Sequence, residues 1–297
     1  MDKKKSNILV TGANGQLGCA IRKAAAGSRH HFIYTDVNEV PGQETVYLDI
    51  CNPDTFDLVA DSEDIDVIVN CASYTNVEKA EDEPGLAELL NAKAVAGMAA
   101  TARRRNAVLI HISTDYVFGG DACSPIPEDA EPAPLSVYGA TKLAGEKAVR
   151  DSACRHIILR TAWLYSRYGK NFVKTMKALT ASNPVIKVVA DQVGTPTRAD
   201  DLAGFIVGII ENGQLDNTGI YNFTDEGVAS WYDLAHEVCT LAGNSCDVQP
   251  CATSEYKTRA ARPMYSVLDK SKVKKTFGIS LPYWRDSLAE CMKELSE

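Results

Sequence analysis

A tyrosine and a lysine four residues apart, Tyr138 and Lys142, are the side chains in this sequence whose types and spacing best suit proton transfer. On a helix, residues four apart share a face, so the ammonium of Lys142 can lie near the phenol of Tyr138. A nearby positive charge favours the phenolate and lowers the pKa of a tyrosine from its usual value of about 10. The pair therefore predicts a general acid or base that works near neutral pH, although the same spacing also occurs on ordinary solvated helix faces.

A glycine-rich turn near the start of the sequence predicts a dinucleotide site. It follows Asn7–Thr11, an apolar run typical of a buried parallel strand, and precedes apolar residues at helical spacing. Gly12 would permit the turn, Gly15 the close approach of a pyrophosphate, and Gly18 the packing of the helix on the strand. The spacing departs from Gly-x-Gly-x-x-Gly, and the alternative is a loop that joins strand to helix without a ligand.

Acidic residues in two further strand-like segments predict how the adenosine end of the cofactor is held. Asp36 follows residues 31–35 and would accept hydrogen bonds from the ribose hydroxyls and repel a 2′-phosphate, which favours NADH over NADPH. Asp49, within residues 46–50, stands where an adenine amino group could bind. A fourth strand is predicted for residues 66–73, which end in the small residues expected beside a cofactor. The alternative for Asp36 is a solvated acid at the end of a strand.

The order of the predicted elements indicates an α/β fold: a Rossmann-type doubly wound parallel sheet with a smaller mixed α/β C-terminal substrate lobe. Strand-like and helix-like segments alternate from residue 7 to about 165. We therefore expect a dinucleotide-binding domain over residues 1–165 and a mainly substrate-binding lobe over residues 166–297. Residues 199–224 are predicted to return to the first sheet, because short connections favour neighbouring elements. One long helix is predicted for residues 83–106.

Thr114 follows the fifth predicted strand, and ligands of such sheets bind at the carboxyl ends of the strands. Its hydroxyl could hydrogen-bond a substrate carbonyl oxygen that gains negative charge. Tyr138 would deliver a proton to that oxygen, Lys142 would hold both the phenol and the nicotinamide ribose, and hydride from the cofactor would reach the carbonyl carbon. Taken alone, Thr114 could equally be a strand-end residue without a role, so the prediction rests on the three residues together.

Composition and charge narrow the class of protein. The sequence has 297 residues, is 45% hydrophobic and 24% charged, and carries a formal net charge of −8, which argues against nucleic-acid binding. No signal-peptide apolar core follows the basic residues 1–5, and the most apolar helix, residues 202–210, is too short to span a bilayer. We expect a cytoplasmic protein that binds neither nucleic acid nor membrane.

The nine cysteines predict reduced thiols, since their number is odd and their spacing irregular. Cys239, Cys246 and Cys251 form the one loose cluster, with His236 as the sole further candidate ligand. This spacing fits no common zinc pattern, so we predict packing cysteines and no bound metal.

Several motifs resemble those of one enzyme family. The glycine run at 12–18 and the set Thr114, Tyr138 and Lys142 are similar to those of the extended short-chain dehydrogenase/reductases. Longer strings, in the expected order along nearly the whole chain, resemble the dTDP-4-dehydrorhamnose reductase family: residues 72–81, 113–118, 160–163, 191–197 and 262–269. The resemblance implies reduction of the 4-keto group of dTDP-4-dehydro-L-rhamnose to dTDP-L-rhamnose, with NADH or NADPH as the cofactor.

The resemblance also implies which residues contact the ligands. Along the cofactor it places Gly15, Gln16, Leu17, Asp49, Ile50, Ala72, Ser73 and Tyr74. At the sugar end of the pocket it places Asp115, Tyr116 and Trp163, and the flat apolar face of Trp163 suits a deoxysugar. Arg262 could bind the diphosphate in a bidentate way, and Asn171 could hydrogen-bond the ligand. The respective alternatives for Trp163, Arg262 and Asn171 are core packing, an ordinary surface position and a helix cap.

One position departs from the family pattern. Some relatives carry a glutamate in the first helix that helps to bind Mg²⁺ at a dimer interface, and Ala20 stands at the matching position here. Mg²⁺ binding and that dimer are therefore in doubt, and both a monomer and a homodimer stay open. Relatives often accept NADPH as well as NADH, so Asp36 does not decide the preference alone.

Other functions share this fold. A sugar-nucleotide 4,6-dehydratase would carry an Asp-Glu pair after the threonine, but here Asp115 is followed by Tyr116. Another sugar-nucleotide reductase or a 4-epimerase stays open, because sequence does not give the size of a pocket. The non-enzyme alternative is a nucleotide-binding regulatory subunit, similar to the β subunit of methionine adenosyltransferase. The intact set of Thr114, Tyr138 and Lys142 favours an enzyme.

Overall fold

The computed structural model describes residues 5–296. Residues 1–4, at the start of the first predicted domain, and residue 297, at the end of the second, lie outside the described residues. The strands are β1 (Asn7–Thr11), β2 (His31–Asp36), β3 (Val46–Tyr47), β4 (Val67–Asn70), β5 (Val108–Thr114), β6 (Arg155–Thr161), β7 (Leu164–Tyr165), β8 (Val185–Val189), β9 (Val193–Gly194), β10 (Thr197–Arg198), β11 (Gly219–Asn222), β12 (Ala229–Ser230) and β13 (Asp247–Cys251). The helices are α1 (Gln16–Ala24), α2 (Pro53–Ser62), α3 (Val77–Ala80), α4 (Pro84–Glu88), α5 (Ala94–Arg105), α6 (Val137–Asp151), α7 (Phe172–Ser182), α8 (Ala199–Glu211), α9 (Trp231–Ala242), α10 (Ser271–Phe277) and α11 (Trp284–Glu294).

The central sheet has seven strands, all parallel, in the order β11-β6-β5-β4-β1-β2-β3. Thr11 at the end of β1 pairs with Thr35 on one side and with Asn70 on the other, so three strands end at the same edge. The order reverses beside β1, and such a switch point leaves a crevice at the carboxyl ends of the strands. The predicted Rossmann-type doubly wound sheet is confirmed.

Helices cover both faces of this sheet. On one face α1 and α8 pack together over Ile8 and Val10, and on the other α2 and α5 cover Leu9. Because successive strand residues point to opposite faces, a strand buried on both sides needs an uninterrupted apolar run. The apolar run of β1 meets that requirement.

Residues beyond 165 contribute both to the first sheet and to a second lobe. β11 pairs in parallel with β6, with Gly219 opposite Ile157, and α8 packs on α1. The second lobe holds α7, α9 and α11 around the parallel pair of β8 and β13, with Leu234, Val238 and Trp284 in its core. No helix within residues 5–296 is long and apolar enough to cross a membrane.

Two predicted elements differ from the structure. The helix predicted for residues 83–106 is divided into α4, a π-helical turn (Leu89–Lys93) and α5. The turn buries Asn91, whose amide accepts from Tyr74 N and donates to Thr141 Oγ1, a local hydrogen-bond solution that apolar periodicity does not reveal. The strand predicted for residues 46–50 is limited to β3, after which the chain turns toward α2.

Candidate active site

The glycine turn between β1 and α1 brings its backbone close to any ligand at the sheet edge. Gly12 has a φ of 62°, and a Cβ there would lie 2.7 Å from the backbone nitrogen of Ala72. A Cβ on Gly18 would lie 2.4 Å from the Gly12 carbonyl oxygen, so glycine at 18 lets α1 pack on the turn. The first turn of α1 has no acidic residue, and its N-cap, Gly15, offers no side chain to the free N–H groups. These N–H groups suit an anion, and the turn therefore fits the diphosphate of a dinucleotide.

A cleft of about 1120 Å³ extends from this turn across the carboxyl ends of the strands, which is room for a cofactor and a second ligand. The predicted site residues that line it are Gly12, Gly15, Gln16, Leu17, Asp36, Asp49, Ile50, Ala72, Ser73, Thr114, Asp115, Tyr116, Tyr138, Lys142, Trp163 and Asn171. Gly18, Tyr74 and Arg262 lie outside this lining.

Tyr138, Thr114 and Asp115 form a hydrogen-bonded chain in the cleft. The hydroxyl of Tyr138 is hydrogen-bonded to that of Thr114. Thr114 Oγ1 donates to Asp115 Oδ1 over 3.0 Å and accepts from the backbone nitrogen of Tyr116 over 3.2 Å. Thr114 therefore lies between the phenol of Tyr138 and the carboxylate of Asp115. All three residues line the cleft.

Burial sets the pKa values of these groups. It raises the pKa of Tyr138 to about 12, lowers the pKa of Lys142 to about 8 and raises the pKa of Asp115 to about 6. The prediction that Lys142 lowers the pKa of Tyr138 is wrong for this arrangement, because desolvation of the phenol dominates. The Lys142 ammonium donates instead to the carbonyl oxygen of Ile112, over 2.5 Å.

Asp36 and Asp49 lie at the strand ends where the adenosine would bind. Asp36 Oδ2 accepts from the backbone nitrogen of Asn14 over 3.0 Å, and its Oδ1 accepts from that of Asn38 over 2.9 Å. Asp36 therefore braces the glycine turn as well as facing the cleft. Asp49 Oδ1 accepts from the backbone nitrogen of Cys51 over 2.9 Å, which fixes that carboxylate beside the cleft.

Two predicted ligand-contacting side chains are engaged elsewhere. The hydroxyl of Tyr74 donates to Glu83 over 2.6 Å, outside the cleft lining. Arg262 is ion-paired with Glu78 at 2.5 Å and hydrogen-bonds the phenol of Tyr116, so it stands behind a cleft residue rather than in the lining.

An aromatic platform closes the other end of the cleft. Trp163 has a φ of 49°, which is unusual for a bulky residue, and its ring stacks on Trp231 with centroids 3.6 Å apart. A Cβ on Gly194 would lie 2.7 Å from the Trp163 ring, so only glycine fits there. Phe172 leans on Trp231 at 4.6 Å, and both line the cleft. Sequence patterns did not single out Trp231 or Phe172, because aromatic residues at helix starts are equally typical of a core.

Ala20 is buried in the core, and the charged groups near α1 are paired within the chain. Lys23 pairs with Asp200 at 2.8 Å and with Glu294 at 2.6 Å, and Arg198 also pairs with Glu294 at 3.0 Å. Within residues 5–296, no group of three or more His, Cys, Asp or Glu is arranged to hold a metal ion.

The cysteines are free thiols, and most of them pack in the interior. In the loose cluster noted above, the Cys239 thiol faces the carbonyl oxygens of Asn244 and Cys246, at 3.4 and 3.5 Å.

The parallel sheet, the glycine turn and the tyrosine–lysine pair in the cleft define a nicotinamide-dependent oxidoreductase with a Rossmann fold. The sequence model of the family described as RmlD substrate binding domain matches residues 6–297. The chain belongs to this family, the family of the dTDP-4-dehydrorhamnose reductases.

Relatives match over nearly their whole length. The chain is 38% identical over 293 residues to the dTDP-4-dehydrorhamnose reductase of Aggregatibacter actinomycetemcomitans, which covers 95% of this chain and 97% of that protein. The crystal structure of a dTDP-4-dehydrorhamnose reductase from Clostridium acetobutylicum matches with a TM-score of 0.91 and 41% identity over 98% of this chain and 100% of that one. The enzyme from Bacillus anthracis, solved in complex with NADP, matches with a TM-score of 0.90 and 34% identity over the same shares.

Proposed function

We propose that this protein reduces the 4-keto group of dTDP-4-dehydro-L-rhamnose to give dTDP-L-rhamnose, with NADH or NADPH as the reductant. The observation that carries the proposal is the buried phenol of Tyr138, which lines the same cleft as Thr114 and Lys142, a cleft that starts at the glycine turn. The substrate is inferred from the relatives, which are named for this reaction.

Tyr138 acts as the general acid. A bound reduced nicotinamide supplies the hydride for the carbonyl carbon. As negative charge develops on the carbonyl oxygen, that oxygen takes the proton of Tyr138. Thr114, whose hydroxyl oxygen accepts from the backbone nitrogen of Tyr116, stands beside the phenol. Burial keeps the pKa of the phenol high, so the proton stays on Tyr138 until a stronger acceptor forms.

Lys142 stabilises the tyrosinate that remains. It is the buried cation on the same helix face, and its pKa of about 8 leaves it mostly protonated at neutral pH. Its donation to the Ile112 carbonyl oxygen fixes the ammonium at the carboxyl end of β5. A positive charge in this water-poor site acts more strongly than it would in solvent.

The sugar end of the cleft combines an apolar platform with one carboxyl group. Trp163, Trp231 and Phe172 together supply apolar surface for a deoxysugar. Asp115 lines the cleft with its Oδ2 buried beside the hydroxyl of Ser266, and we infer that a sugar hydroxyl could bind this carboxyl group. To bind the diphosphate of the substrate, Arg262 would have to give up its ion pair with Glu78.

A reductase of another nucleotide sugar, a 4-epimerase or a regulatory subunit could use the same cleft, and one experiment separates them. Cofactor oxidation would be measured on adding dTDP-4-dehydro-L-rhamnose, with its UDP-linked counterpart as the comparison. We expect one NADH or NADPH to be oxidised for each dTDP-L-rhamnose formed, with slower turnover of the UDP sugar. Faster turnover of the UDP sugar would reassign the nucleotide, product without cofactor oxidation would indicate an epimerase, and binding without turnover a regulatory subunit.

A further inference from the structure

One side chain, Gln16, joins the glycine turn directly to the second lobe. Its Oε1 accepts from Asn171 Nδ2 over 2.9 Å and from Ser166 Oγ over 3.0 Å. A Cβ on Gly169 would lie 3.3 Å from Gln16 Cγ, so the segment 166–171 also packs on the aliphatic part of this side chain. Gln16 is the first residue of α1 and lines the cleft, so it contacts both lobes at once.

The helix that follows the segment fixes the direction of these bonds. Asn171 is the N-cap of α7, and its Oδ1 accepts from the backbone nitrogen of Lys174 over 3.0 Å. Its amide nitrogen is left to face the first lobe, and it also donates to the Ser166 carbonyl oxygen over 2.7 Å. Since Asn171 can only donate on that side, Gln16 must present its oxygen.

Within residues 5–296, the hydrogen bonds that segment 166–171 donates to the first lobe are all accepted by Gln16 Oε1. Gly169, Lys170 and Asn171 of the segment line the cleft. A diphosphate held by the amino-terminal N–H groups of α1 would fix the backbone of Gln16. A fixed Gln16 in turn limits the positions that the segment can adopt.

We propose that Gln16 is a positioning residue that couples the two ligands: a dinucleotide on the glycine turn orders segment 166–171 and so tightens the binding of a nucleoside diphosphate sugar. The inference rests on the proposed function for the identity of the second ligand. Such coupling is reciprocal, and in proteins it typically amounts to about 5–150-fold in affinity.

Titration calorimetry with dTDP as the probe, with and without saturating NADP⁺, measures the coupling. Gln16→Leu removes the acceptor at similar size, Gln16→Glu keeps an acceptor, and Gln214→Leu makes the same change at a glutamine that contacts Phe277 instead. We expect NADP⁺ to tighten dTDP binding at least about fivefold in the wild type and Gln214→Leu, and less than about twofold in Gln16→Leu. Gln16→Glu should retain most of the effect. Equal coupling in Gln16→Leu and the wild type, or no coupling in the wild type, would overturn the proposal.

Asn171→Asp tests the same link from the other lobe. Aspartate caps a helix as well as asparagine does, but it cannot donate to Gln16. We expect this variant to lose the coupling, and because the change also removes the donation to the Ser166 carbonyl oxygen, its melting temperature is measured as well. Full coupling in Asn171→Asp would contradict the role given to the bond.

Amide hydrogen exchange with NADP⁺ alone separates this inference from the proposed function. We expect NADP⁺ to slow exchange at residues 12–17 in the wild type and Gln16→Leu, but at residues 166–171 in the wild type only. If that pattern holds while dTDP binds none of the proteins, the proposed substrate is wrong and the Gln16 link stands. Equal slowing at residues 166–171 in both proteins would remove the link whatever the substrate.

Discussion

At the scale of single residues, Tyr138 keeps its proton because burial raises the pKa of its phenol to about 12. The spacing of Tyr138 and Lys142 predicts that both share a helix face, and both line the cleft. The lowered pKa that it predicts for Tyr138 is wrong, because desolvation depends on what the rest of the chain packs around the phenol. Trp231 was missed for a similar reason, since a tryptophan after a helix cap serves a core or a ligand equally well.

Tyr138→Phe should bind the cofactor normally and lose turnover, because it removes the proton donor and little volume. General acid catalysis contributes about 10²–10⁴-fold in rate, and we expect kcat to fall by that range. Steady-state kinetics together with the Kd of NADPH make the test. A variant with near-wild-type kcat would remove Tyr138 from its assigned role.

Lys142 should impose a loss of activity at alkaline pH. Burial lowers its pKa to about 8, so the cation is present below that pH and is lost as the pH rises through it. We expect kcat/KM, which reports the free enzyme, to decline above about pH 8. Lys142→Arg keeps its charge to much higher pH and should turn over more slowly but without this decline. An identical decline in the arginine variant would assign the ionisation to another group.

Asp36 should set the preference for NADH through its charge. The test variant is Asp36→Asn, which removes the charge. Its amide oxygen can still accept the backbone hydrogen bond that braces the glycine turn. We expect NADH to have the better kcat/KM in the wild type, and the asparagine variant to narrow the gap with NADPH by relieving repulsion of the 2′-phosphate. If the ratio of the two kcat/KM values does not change, Asp36 does not face the ribose.

At the scale of elements, the alternation of strands and helices could be predicted from the sequence, because each buried strand is a continuous apolar run. The break in the helix predicted over residues 83–106 could not be predicted from the sequence. The π-helical turn is stabilised by hydrogen bonds of Asn91 to partners in distant parts of the chain. The same limit applies to Gln16: its bonds to residues 166 and 171 depend on how the two lobes meet.

Asp225, just after β11, should make stability depend on pH. Burial, and then the charge of Asp201, raises its pKa to about 8, well above its value in an unfolded chain. The folded state therefore binds the extra proton, and the stability this gives is lost as pH rises through about 8. We expect the wild-type Tm to fall by a few degrees between about pH 6 and pH 9.

Asp225→Asn should flatten this dependence, since an amide oxygen can still accept from the backbone nitrogen of Arg198. Asp129→Asn, at an exposed position, is the control and should follow the wild type. If Asp225→Asn kept the full wild-type slope of Tm against pH, another group would be responsible.

At the scale of the whole molecule, the charges beside α1 are balanced within one chain. Lys23 and Arg198 form ion pairs with Asp200 and Glu294, so these carboxylates are already engaged. A hard cation requires several free oxygen ligands, so it would have to displace both side chains.

We therefore expect activity that is insensitive to EDTA and a molar mass that does not change with Mg²⁺. Light scattering with and without Mg²⁺ tests the second point. Lys23→Ala, which frees carboxylate oxygens, is the comparison. We expect its molar mass to respond to Mg²⁺ more strongly than that of the wild type. A Mg²⁺-driven rise in the mass of the wild type would show that other carboxylates supply the site.

The most direct test of the central claim follows the hydride itself. NADH or NADPH deuterated at the transferred position would be incubated with the protein and dTDP-4-dehydro-L-rhamnose, and the product examined by NMR and mass spectrometry. We predict one deuterium per product molecule, located at C4 of the sugar, with one cofactor oxidised, and transfer by Tyr138→Phe that is slower by about 10²–10⁴-fold. Product without deuterium at C4, or sugar turnover without net oxidation of the cofactor, would contradict the proposed reduction.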